Sequence, residues 1–135
     1  MNLVSTRIIT SDVKQLVQFY EQITGITAIH YTEDFAELKT PTSTLAIGST
    51  RTLQFFGGDA VAHPAKNRSA IIEFKVDDVD VVYDKIELLI EPDLVQQPTT
   101  MPWGNRSLMF RDPDGNLVNF FTPITAEALA RTAAK

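Results

Sequence analysis

A chain of 135 residues, 44% apolar and 21% charged, has the composition of one globular domain, long enough to bury a core without staples and too short for two. Cysteine is absent, which excludes disulfides, thiolate nucleophiles and zinc–thiolate sites. The net charge of −5, without a lysine or arginine cluster, argues against nucleic acid or an anionic membrane as partner. No apolar run approaches the roughly 20 residues of a membrane span, and Met1 to Arg7 lack a signal peptide's basic and apolar regions, so a cytoplasmic protein is expected.

The first predicted strand is the β-branched run Ser5 to Thr10, ending at Ser11-Asp12, whose side-chain oxygens can cap a helix. Val13, Leu16, Val17 and Tyr20 then follow at helical spacing. Strands are predicted over Thr27 to Thr32, over Phe35 to Lys39 and after the turn Thr40 to Ser43, and Leu53 to Phe56 reads as an extra one. The run Gly57 to Asn67 reads as a linker.

The pattern then starts again. Ile71 to Val76 repeats the strand, Asp77-Asp78 the cap, and Val79, Val82, Tyr83 and Ile86 the helical stripe, with a constant shift of 66 (Asp12 to Asp78, Val13 to Val79). Further strands are predicted over Leu94 to Gln97 and Arg106 to Arg111. The strand–turn–strand Lys39 to Ile47 aligns with Arg111 to Asn119 at a shift of 72. Thr125 to Arg131, rich in alanine, predicts a short helix. Each half is therefore βαβββ, an α+β fold of two modules, about 1–56 and 69–124, with a linker at about 57–68 and a tail at 125–135.

Three segments carry a family resemblance: Phe19-Tyr20 followed by Gly25, Phe74 to Asp80, and above all Met101 to Leu117 with its Asp112-Pro113-Asp114-Gly115-Asn116 turn. In this order, on a repeated βαβββ unit, they resemble the vicinal oxygen chelate superfamily of glyoxalases, bleomycin-resistance proteins and dioxygenases. The resemblance implies a cupped, incomplete mixed β-barrel whose cleft, in metal-using members, carries His, Gln or Glu ligands on the first and last strand of each module. Carried over residue by residue, those positions hold Ser5, Ile47, Ile71 and Asn119. Two isoleucines, a serine and an asparagine are poor donors for a catalytic divalent ion, so neither metal nor other cofactor is expected. Metal-dependent glyoxalase, dioxygenase and epimerase activities are thereby in doubt.

Strand alternation places Ser5, Arg7 and Ile9 on the cleft side of the first strand, and Ile71, Glu73 and Lys75 on that of its repeat. Arg7 and Glu73 are equivalent positions of opposite charge. With the two first strands side by side, as the resemblance implies, an ion pair between them is expected, serving either the structure or a ligand. Trp103, between Pro102 and Gly104, suits an aromatic platform at a pocket rim, the alternative being a plug that closes the barrel end. Asn119, Phe55 and Phe121 complete the candidate ligand-binding set, with Phe56 as further apolar wall. His30 and His63 have no second imidazole at ligand spacing and read as solvated side chains. No catalytic residue is assigned.

The leading expectation is a metal-independent protein that binds a small, planar organic molecule, by analogy with drug-sequestering resistance proteins. A lyase or dioxygenase-type enzyme of the same superfamily, with or without a metal, is the alternative, and a protein-interaction module with a closed cleft is the third. A homodimer would cover exposed strand edges.

Overall fold

In a computed structural model of the protein, residues 1–133 are described; residues 134 and 135, the end of the expected tail, lie outside the described residues. The elements run β1 (Ser5–Thr10), α1 (Val13–Thr24), β2 (Ile29–Thr32), β3 (Phe35–Lys39), β4 (Thr44–Ser49), a 3-10 helix (Thr50–Phe56), β5 (Ile71–Lys75), α2 (Val79–Ile90), a short 3-10 turn (Glu91–Asp93), β6 (Leu94–Thr100), β7 (Asn105–Arg111), β8 (Leu117–Pro123) and α3 (Ala126–Ala133). The chain divides into two compact units, Met1–Asn67 with Pro113–Gly115, and Arg68–Asp112 with Asn116–Lys135. No helix among the described residues is long and apolar enough to cross a membrane.

In the first unit the sheet order is β1-β4-β3-β2, with β1 parallel to β4 and the other pairs antiparallel. Asp12 starts α1 by accepting from the Gln15 N–H at 3.0 Å, and Gly25 ends it in the left-handed conformation, φ 72°, where a side chain would be strained. The stripe of α1, extended by Phe19 and Ile23, is buried against Ala36, Leu38, Leu45 and Ile47 of β3 and β4. Burial of such side chains stabilises by about 1.5–3 kcal/mol each.

The second unit repeats this plan in the order β5-β8-β7-β6, with β5 parallel to β8. Asp78 caps α2, accepting from the N–H groups of Asp80 (3.0 Å) and Val81 (3.2 Å). Its helix-facing core is Val79, Ile86, Ile90, Leu108, Phe110, Val118 and Phe120. The β7–β8 turn is closed by Asp112, whose carboxylate accepts from Asn116 N–H and Nδ2, both at 2.9 Å, while Gly115 takes φ 83°.

The register corrects one sequence alignment. Arg7 lies opposite Ala46, and its equivalent Glu73 lies opposite Asn119, so Ala46 rather than Ile47 is the counterpart of Asn119. Four residues separate β3 from β4 (Thr40 to Ser43) and five separate β7 from β8 (Asp112 to Asn116), so the shift grows from 72 before the turn to 73 after it. Ile47 is fully buried on the helix-covered face, opposite Ile8 and Ala36. A slip of one residue exchanges the two faces of a strand.

Leu53 to Phe56 is likewise not a strand. These residues belong to a 3-10 helix, which Ser49 starts by accepting from the Arg51 N–H, with Leu53 the buried anchor. Arg51 donates through Nε to Asp34 at 2.8 Å and Ser49 Oγ donates to the same oxygen at 2.8 Å, fastening the helix to the β2–β3 turn. Among the described residues this ion pair joins Lys39–Glu37 in the first unit and Arg106–Asp80 in the second.

Candidate functional site

On the face of the first sheet away from α1, the central strand β4 presents Thr44, Ala46 and Gly48 between Ser5, Arg7 and Ile9 of β1 and Lys39, Glu37 and Phe35 of β3. β1 and β3 are two strand spacings apart, roughly 9–10 Å. Ala46 and Gly48 carry side chains too small to block it, so the long Arg7 side chain reaches across β4. Its guanidinium carbon lies 4.5 Å from the centre of the Phe35 ring and 5.6 Å from that of Phe56. The carboxylate nearest in register, that of Glu37, is engaged elsewhere, accepting from Tyr31 O–H at 2.9 Å and pairing with Lys39 at 3.7 Å. Among the described residues no carboxylate lies within ion-pair distance of Arg7.

The corresponding face of the second sheet is built differently. Its central strand carries Leu117, Asn119 and Phe121 where β4 carries small residues. Asn119 is 8% exposed; its Nδ2 donates to Glu73 Oε2 at 2.9 Å, and its buried Oδ1 has no hydrogen-bond partner among the described residues. The two members of the expected Arg7–Glu73 pair thus each find a partner inside their own unit, Arg7 in two aromatic rings and Glu73 in an amide.

The remaining candidates are dispersed. Trp103 is 56% exposed at the tip of the β6–β7 hairpin, and its carbonyl accepts from Arg131 Nη2 at 2.6 Å. That turn adjoins the Pro123 end of β8, four residues along from Asn119, or roughly 13 Å. Phe121 is part-buried opposite Lys75 and Ser107, on the Asn119 side of β8. Phe55 is 78% exposed, and it is Phe56 that meets Arg7. Phe35, which supplies the closer ring, escaped sequence reasoning, although alternation from Glu37 along β3 puts it on the Arg7 face.

Neither histidine joins these groups. His30 is exposed on β2 beside a groove of about 510 Å³ along α1, lined also by Lys14, Val17, Glu21 and Glu33. His63 is exposed in the connecting segment.

Charge shifts concentrate on the two Arg–Asp clamps. Hydrogen bonds from Arg51, then from Ser49, hold the Asp34 carboxyl below its ordinary 3.8, and the Arg106 fork does the same for Asp80. Arg106 donates to both Asp80 oxygens, at 2.8 and 3.0 Å, tying β7 to the first turn of α2.

A sequence profile of the Glyoxalase/Bleomycin resistance protein/Dioxygenase superfamily matches residues 2–120. The chain belongs to that superfamily. An uncharacterized Bacillus subtilis protein, YraH, is 26% identical over 125 residues, spanning 90% of this chain and 98% of the relative. A superfamily enzyme from Burkholderia phytofirmans superposes with a TM-score of 0.80 at 18% identity, covering 92% of this chain and 100% of the other. A second superfamily structure, from Nocardioides, gives 0.75 at 21%, covering 93% and 85%. The positions that the resemblance assigns to metal ligands, read in the observed register, hold Ser5 and Ala46 in one unit and Ile71 and Asn119 in the other. A hydroxyl, a methyl group, an aliphatic chain and a neutral amide do not fit a resident divalent ion. Among the described residues no three His, Asp or Glu side chains converge.

Proposed function

We propose that this superfamily member is a cytoplasmic protein that binds a small, planar organic molecule on the open face of its sheets and does so without a metal. The observation that carries the reading is the composition of the ligand positions. Where a metal-using member needs imidazole or carboxylate, this chain has Ser5, Ala46, Ile71 and an Asn119 amide already donating to Glu73. What those faces offer instead is aromatic and aliphatic surface with a few polar groups, the make-up of sites for small organic ligands. A homodimer belongs to the same reading, since Ile29 and Tyr31 leave apolar surface exposed on the edge strand β2.

The test is a panel of planar aromatic compounds screened against the purified protein by ligand-observed NMR, beside elemental analysis of the same sample. Saturable binding with metal below one tenth of an equivalent supports the proposal. Stoichiometric zinc, iron, nickel or manganese that survives dialysis would overturn metal independence and favour the enzyme reading. A panel without a single binder would overturn small-molecule binding.

A further inference from the structure

We infer that the Arg7 face of the first unit is an anion-receiving site, and that the molecule it takes is a flat organic anion with a carboxylate or similar oxyanion beside an aromatic ring. The inference rests on the small-molecule reading above and narrows it to a ligand class.

In a chain with 17 acidic and 12 basic side chains, an arginine left without a carboxylate needs a local reason. Here the reason is built by three neighbours. Tyr31 and Lys39 occupy Glu37, removing the acid that lies across β4 from Arg7. Ala46 and Gly48 clear the path over the central strand. Phe35 and the Phe56 of the 3-10 helix then receive the guanidinium, so that its charge is supported by ring faces, which accept no N–H in the way an oxygen does.

A guanidinium that meets its protein neighbours through ring faces keeps its in-plane N–H groups for an incoming acceptor. Those groups form a planar fork matched to the two oxygens of a carboxylate. The surroundings set the rest of the ligand's shape. Ala46 and Gly48 are already covered by side chains, so the ligand's flat body lies beside the guanidinium, where the exposed Phe56 ring offers a surface on which it can stack. Bulky or strongly branched anions gain the fork without the stacking, and neutral aromatics gain the stacking without the fork.

The probes are 2-naphthoate and its neutral isostere 2-naphthamide, titrated by calorimetry and by amide NMR on the full chain. Naphthoate is expected to bind about tenfold tighter than naphthamide, weakening as salt is raised, with amide shifts at Phe35, Ala46 and Gly48. Arg7→Gln should erase that preference while leaving naphthamide within about twofold, and Arg7→Lys should keep a smaller preference. Phe56→Leu should weaken both probes and Phe55→Leu neither. Equal affinity for the two probes in the unaltered protein overturns the inference without reference to any variant, as does a preference that persists in Arg7→Gln with native circular dichroism. Failure of both naphthyl probes while other panel members bind sinks the anion site and leaves the small-molecule reading standing. Failure of every compound sinks both.

Discussion

Gly48 shows how much a single absent side chain decides in this fold. A β-carbon built there would lie 3.2 Å from Thr52 Oγ1 and 3.7 Å from both Ile9 Cδ1 and Phe35 Cδ1. Gly48→Ala therefore presses only on the Thr52 hydroxyl, in the first turn of the 3-10 helix, and makes ordinary van der Waals contact with Ile9 and Phe35. We expect a fall in stability of up to about 1 kcal/mol in urea denaturation as Thr52 shifts, with naphthoate affinity little changed because neither ring that meets Arg7 is displaced. Single residues are also where the sequence was hardest to read. Alternation assigned Arg7 and Glu73 to the correct faces, since the strand period is strict. Their partners could not be read the same way. Phe35, Asn119 and Ala46 meet them through the pairing of separate strands, and Ile47 takes the place of Ala46 in the sequence alignment because the Asp112–Asn116 turn is one residue longer than its counterpart.

Among the elements, the two long helices were the most legible because cap and stripe recur together in each module. Asp12 and Asp78 take the same role in the structure that their positions suggest, each satisfying N–H groups of a first turn. Asp78→Ala should cost about 1 kcal/mol, seen as a lower urea midpoint at unchanged slope, and Asp12→Ala a similar amount. The segment Leu53 to Phe56 was legible only as an apolar run, and such runs do not declare their period when short. What makes it helical lies outside it, in the Ser49 cap and the Arg51–Asp34–Ser49 clamp, and a side-chain hydrogen bond across 15 residues leaves no local trace in a sequence. The exposure of Trp103 and Phe55 has the same origin, since exposure at a turn or on a short helix depends on the packing of its anchors.

For the molecule as a whole, acid sensitivity follows from the two clamps. Asp34 and Asp80 are held below their ordinary 3.8 in the folded chain, so their contribution to stability is fully present above that value and is lost as pH falls through the lower folded value. Thermal melting should therefore change little through these groups between about pH 5 and 7 and decline below about pH 4. The Asp34→Asn, Asp80→Asn double variant should start lower at neutral pH and show a shallower acid decline; a decline as steep as in the unaltered protein would place the acid-labile groups elsewhere. The fold itself was legible at this scale, because two modules built to one pattern report on each other, and a chain that states its architecture twice tolerates local misreadings. The 3-10 helix that carries Phe56 is the exception to that duplication. After the last strand of the second module comes α3 instead, so the second ring beside Arg7, that of Phe56, is supplied by the connector, while the first, Phe35, belongs to the repeated framework. Binding preference in such a protein can drift by substitutions at the exposed positions of this helix, while Leu53 anchors it and the duplicated sheets keep the molecule folded and hold the arginine in place.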